Sequence, residues 1–238
     1  MQSTQKFKGK SLKLNKLVKN ILSFYQLATL AENNEGMIWY NEANTYAREL
    51  ALRFNISVSQ VVGIIAAFSP KAGWLENKRY VVTFLLHPNS VLRSKVTIDK
   101  AKVILTLNNE SAIYEALSIA NKAYKTKAFF NNMLNPDIHT NVTIDRHAIA
   151  ACIQKTDNVF SLDENITANL TSAQYKFFET AYTEAAKQSN ILPQQMQAII
   201  WTVYRRLRDL KAHETTAEFE AFPLSDIKSF KPVDIESF

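Results

Sequence analysis

The run Val142-Thr143-Ile144-Asp145-Arg146-His147-Ala148 sets a carboxylate, a guanidinium and an imidazole in three consecutive positions behind an apolar approach. A carboxylate held in such surroundings can stabilise a developing cation or orient an attacking group. A mainly apolar helical segment follows, Ala148 to Ile153. Asp145 therefore also suits a helix N-cap, where its charge faces the positive end of the helix dipole. Capping is the commoner use of an aspartate at such a place, and catalysis needs partners from elsewhere in the chain.

Three further clusters offer such partners. Ser69-Pro70-Lys71-Ala72-Gly73-Trp74 is a loop bracketed by Pro and Gly, with Asn77 and Lys78 in the helix it opens. Free backbone N–H groups at that helix start, with Lys71 and Lys78 nearby, suit a phosphate. Trp74 can stack on a base or wedge into a duplex, although a tryptophan there is more often a core anchor. Lys122, Lys125 and Lys127 precede the aromatic pair Phe129-Phe130. A lysine packed against apolar surface can act as a nucleophile, whereas a surface lysine at a helix start is the plainer reading. Trp201, Arg205, Arg206 and Arg208 lie on the last helix, and Trp201, Arg205 and Arg208 are set off from its apolar stripe. Those arginines can pair with phosphates or with the acids of a neighbouring helix.

The elements that must position these groups read as helices. Apolar residues recur with helical spacing from Leu12 to Tyr25 and from Trp39 to Phe54. Ser57-Val58-Ser59-Gln60 is a capping-box sequence opening an apolar helix to Phe68. Further helices are expected over Trp74–Leu86, Thr97–Leu107, Ser111–Ala120 and Lys122–Leu134. Thr171-Ser172-Ala173-Gln174 is a second capping box, heading a helix to about Ser189, and Pro193 opens a last one to Lys211. Four glycines and six prolines in 238 residues argue against a many-turned β-sandwich or barrel. The expectation is all-α: a flexible basic arm over 1–11, one helical domain over 12–212, and an acidic extended tail over 213–238.

Composition excludes several classes of chemistry. The lone Cys152 rules out an intramolecular disulfide, a cysteine-ligated cluster and a zinc ribbon. The histidines (His87, His139, His147, His213) show no metal-ligand spacing, so no metal and no cofactor is expected. No apolar run is long enough to span a bilayer and no signal-peptide core is present, which suits a reducing, cytoplasmic setting. The net charge of +6 is uneven, with Lys6, Lys8, Lys10, Lys13, Lys16 and Lys19 near the start and no acid among them. A polyanionic partner fits this distribution, as does a well-solvated surface.

Taken together, these residues resemble the helix-hairpin-helix DNA glycosylase superfamily. A lysine near the start of one helix and an aspartate heading the next, after a Val-x-x-Asp approach, carry the likeness. Lys125 stands 20 and Lys127 18 residues before Asp145, and both spacings suit that family. A group of phage-type relatives is closer still. Its pattern is matched by Gly63–Pro70 with Trp74 and Asn77, by Lys125-Thr126-Lys127-Ala128-Phe129, by Thr143–Ala148, and by Pro193–Ile199 with Trp201. The likeness departs at the hairpin itself: Ile119–Tyr124 lacks the glycines that let backbone amides approach a phosphate.

The resemblance implies a DNA partner, in a bacterial or phage-infected cell, and an enzyme acting on a modified base. Asp145 would stabilise the sugar cation, with Lys127 or Lys125 as a Schiff-base nucleophile. Trp74 and the Phe129-Phe130 pair would line the space of an extruded base, and Asn77, Arg146 and His147 would hydrogen-bond the base or a flanking phosphate. Lys71, Trp201 and Arg205 complete the expected substrate contacts. Two alternatives share the scaffold. One is thymidine hypermodification, in which an amine displaces an activated group on the base; the other is a non-catalytic DNA-binding protein. A helical interaction module is the plainest reading of all.

Overall fold

The computed structural model describes residues 3–118, 123–138, 141–154 and 170–207. Two short strands come first, β1 (Thr4–Phe7) and β2 (Lys10–Lys13). Helices follow: α1 (Leu14–Tyr25), α2 (Leu30–Phe54), α3 (Val58–Phe68), α4 (Trp74–Leu86), α5 (Lys95–Leu105), α6 (Glu110–Ala116) and α7 (Tyr124–Leu134). The series continues with α8 (Arg146–Ile153), α9 (Ser172–Gln188) and α10 (Pro193–Leu207). The protein is all-α apart from the two-stranded ribbon. It packs as two compact units, one of Met1–Asn41 with Pro136–Ala212, the other containing Glu42–Asn135. The expected acidic tail over 213–238 lies outside the described residues, as do Arg208 and positions 119–122.

In the first unit, α1 turns Leu17, Val18, Ile21 and Phe24 inward. It packs on α8, α9 and α10. Full burial of Phe178, Tyr182 and Tyr204 supplies much of the core. Their hydroxyls are satisfied where present: Tyr182 donates to Ala148 O (3.1 Å) and Tyr204 to Gln154 Oε1 (2.9 Å). The start of α2 crosses α10 at Gly36, where a Cβ would sit 2.7 Å from the Ile199 Cα. Only glycine allows that approach, so the polar run Glu32–Gly36 is helical and α2 begins nine residues before the Trp39 expected from periodicity.

The segment expected as a flexible arm over 1–11 holds a two-stranded ribbon, which runs on to Lys13. Phe7 pairs with Lys10 across a two-residue turn, and both turn residues are left-handed (Lys8 φ 46°, Gly9 φ 75°). Such a turn matches the twist of a hairpin. Phe7 is buried edge-on against Phe178, with ring centroids 5.4 Å apart, and Gln174 Nε2 donates to Lys6 O (3.0 Å). One apolar anchor and one hydrogen bond hold the ribbon to α9.

The second unit is built around α3, which is buried from Ser59 to Phe68. Ser57 and Gln60 form the expected capping box, and Gln60 Nε2 also donates to Leu105 O (2.7 Å), tying the cap to α5. Ile104 and Ile113 press on Gly63, where a Cβ would come 2.7 Å from Ile113 Cγ2. Arg93 Nη2 donates to Phe68 O (3.1 Å) and to Pro70 O, and its guanidinium lies over Tyr80. That side chain closes the end of α3 and fixes the loop leading to α4. Among the described residues, no single helix is long and apolar enough to cross a membrane, and no cluster of His, Cys, Asp or Glu could hold a metal ion.

Candidate functional site

Asp145 is presented by an extended segment whose backbone is held by side chains. Val142 N–H donates to Glu179 Oε1 (3.0 Å), while Tyr175 donates to Val142 O (2.8 Å) and accepts from Ile144 N–H (3.1 Å). Tyr40 shares a hydrogen bond with the Thr143 hydroxyl (3.0 Å) and donates to Gln197 Oε1 (2.8 Å). These partners come from α2, α9 and α10, so burying the approach leaves its polar groups satisfied and its register fixed. Burial drives the Tyr175 hydroxyl far above its ordinary range, so it acts here as a neutral donor and acceptor.

The carboxylate then divides its work. Oδ1 caps α8 by accepting from Ala148 N–H (2.8 Å), as expected of an N-cap aspartate. Oδ2 stands 3.5 Å from His147 Nδ1. Both side chains are largely covered, 19% exposed for Asp145 and 12% for His147. The imidazole meets the rings of Trp201 (6.4 Å) and Tyr204 (5.8 Å) roughly edge-to-face, and neither of its nitrogens has a hydrogen-bond partner among the described residues. The Arg205 guanidinium lies 4.3 Å above the Trp201 ring. Asp145, His147, Trp201 and Arg205 thus share one unit, with Arg146 beside them and exposed. A carboxylate beside an imidazole can hold a proton or pass it on.

The other expected residues belong to the second unit. Lys127 Nζ is ion-paired with Glu115 Oε2 (2.9 Å) and lies 4.2 Å above the Tyr114 ring. Both contacts engage the Lys127 side chain within its own unit. Lys125 is half-buried in the first turn of α7. Phe129 is buried in α7, and Trp74 is buried against Tyr46, with ring centroids 6.0 Å apart. In this conformation Trp74 is a core residue rather than an open stacking platform. Lys71, at φ 60° in the loop before α4, is exposed.

Lys78, expected near a phosphate at the start of α4, is placed differently by the fold. Lys78 is 1% exposed, with its ammonium 5.5 Å from the Tyr46 ring centroid and 5.9 Å from that of Trp74. Trp74, Asn77 and Lys78 lie on one face of α4, three and four residues apart. Asn77 Nδ2 donates to Ile65 O (3.1 Å). Its buried Oδ1 and the Tyr46 hydroxyl have no hydrogen-bond partner among the described residues. Lysine is seldom buried, so sequence alone places it outside. The only hint was its position four residues after a tryptophan at the start of an apolar helix.

No curated protein and no solved structure matches the chain. A family model, described as a family of unknown function (DUF7178), matches residues 3–208, from the ribbon through the last residue of α10 and one beyond. That span contains the ribbon, the described helices of both units and every residue of the site just described, and the chain belongs to that family.

Proposed function

We propose that the protein is a DNA glycosylase-like enzyme that hydrolyses the bond between a modified base and its sugar. The observation that carries this reading is the divided carboxylate: Asp145 caps α8 with one oxygen while the other faces an imidazole. In the reaction, the electron pair of the glycosidic bond leaves with the base, and water oxygen bonds to C1′. Asp145 stabilises the intervening cation, and the Asp145–His147 pair takes the proton released by water. The ion pair at Lys127 favours water over an amine as the attacking group.

Substitution separates this role from capping. Asparagine caps nearly as well as aspartate, so Asp145→Asn should melt like the parent yet lose at least a hundredfold in release of a modified base from DNA. Asp145→Ala should lose the same activity and about 1 kcal/mol of stability as well. An active Asp145→Asn variant would leave only the cap. A borohydride-trapped adduct that disappears in Lys127→Ala or Lys125→Ala would restore the amine mechanism. A heavier thymidine with its sugar bond intact would move the chemistry onto the base.

A further inference from the structure

We propose that the β1–β2 ribbon and the first turns of α1 form a docking surface for the phosphodiester backbone of nucleic acid. It shares no residue with the Asp145 site and rests on separate observations, although it would serve a DNA-directed enzyme.

The strand register assigns the faces. Gln5, Phe7, Leu12 and, at the exposed tip, Lys10 share one face, which Phe7 seats on the body, while Thr4, Lys6, Ser11 and Lys13 turn outward. Lys6 and Lys13 are diagonal neighbours on that outer face. Lys8 and Lys10 flank the tip, and Lys16 and Lys19 continue along the exposed side of α1. All six lysines are exposed, and no acid occurs before Glu32. Among the described residues, Lys6, Lys10, Lys13, Lys16 and Lys19 form no ion pair. Glu32 itself is paired with Arg206.

This charge is placed against local stability. Lys13 is the N-cap of α1 with no side-chain cap, Lys16 stands in its first turn, and that turn has no acid. Cations there oppose the helix dipole. Lysines facing one another on a pinned ribbon also repel, and a polyanion relieves both costs.

The form of the surface favours nucleic acid over an anionic membrane. A membrane-seated element offers apolar side chains for insertion. Here Phe7 is buried and Leu12 half-buried, so the outer face carries only lysine, serine and threonine. Such a face contacts phosphates without reading bases.

The test is anisotropy of the full chain with an unmodified duplex across a salt series. The variant Lys6→Gln/Lys13→Gln/Lys16→Gln should bind at least tenfold more weakly at low salt. Its log–log salt slope should be shallower by about 0.9 for each phosphate that the variant leaves without a lysine. The Lys→Arg triple should retain binding. A charge-matched control, Arg79→Gln/Lys95→Gln/Lys187→Gln, should bind like the parent. The ribbon Lys→Gln variant should melt at or slightly above the parent, because it sheds charges that oppose the α1 dipole, and the Lys→Arg and control variants should melt like the parent, because every altered side chain is exposed. Equal weakening in the control, or an unchanged slope in the ribbon variant, overturns the proposal. So does a ribbon variant that loses only its binding to phosphatidylserine vesicles. Unmodified DNA offers no base to release, so failure here leaves the Asp145 chemistry standing, and failure of that chemistry leaves this surface standing.

Discussion

Asp145 illustrates what a residue type and its neighbours reveal. Its capping role follows from an aspartate ahead of an apolar helix, and Ala148 N–H donates to it as that pattern requires. The position of its second oxygen could not be read that way, because it depends on Tyr40, Tyr175, Glu179 and Gln197, which hold the approach from distant parts of the sequence. Lys78 is the opposite case, since a lysine on a helix defaults to solvent and only packing shows it buried. Lys78→Met keeps most of the side-chain volume and removes a desolvated charge, so urea unfolding should shift by no more than about 1 kcal/mol in either direction. Lys78→Ala should cost about 3 kcal/mol through the cavity it leaves. If the methionine variant loses as much as the alanine variant, the ammonium itself holds the second unit together.

Among the elements, local chemistry was most legible where a side chain closes a helix end. Both capping boxes, at Ser57 and Thr171, form as their four-residue patterns require. Trp74–Leu86 is bounded by Gly73 and His87-Pro88, and its limits match the expectation. The start of α2 was hidden because its first residues are polar and its glycine serves a helix crossing. The ribbon was hidden because lysines mask its alternation, leaving Phe7 and Leu12 as the only apolar markers. Phe7→Ala removes the packing against Phe178, at a local cost of about 3 kcal/mol. Hydrogen exchange should then lose protection over residues 4–13 while α3 and α5 are unchanged. Exchange spreading through the α1–α9 core would mean that the ribbon is integral to the first unit.

For the molecule as a whole, the helical class was legible from period and from the scarcity of turn residues, whereas the division into two units was not. One of the two crossings between units falls within α2, where no proline or polar linker marks it; the other, at Asn135-Pro136, reads in sequence only as a loop between helices. One long-range tie gives the first unit a pH dependence. Burial alone would raise the Glu32 carboxyl, but hydrogen bonds from Arg206 and Thr29 hold it below its ordinary value of 4.5. The stabilisation is therefore fully present above pH 4.5 and fades as pH falls through the lowered value. Urea midpoints of the parent should decline across that acid range. Glu32→Gln should start lower at neutral pH and decline less, and parallel curves would show that the pair contributes nothing.

Cys152 packs at the centre of the first unit, completely covered, and burial pushes its thiol well above the ordinary range. The protein's only sulfhydryl is thus shielded from solvent and holds its proton, two barriers to alkylation in the native state. A cysteine substituted for Ser11, at the outer face of the ribbon, would be the sole site open to maleimide. One dye placed there would report nucleic-acid approach without first stripping the chain of its native sulfur.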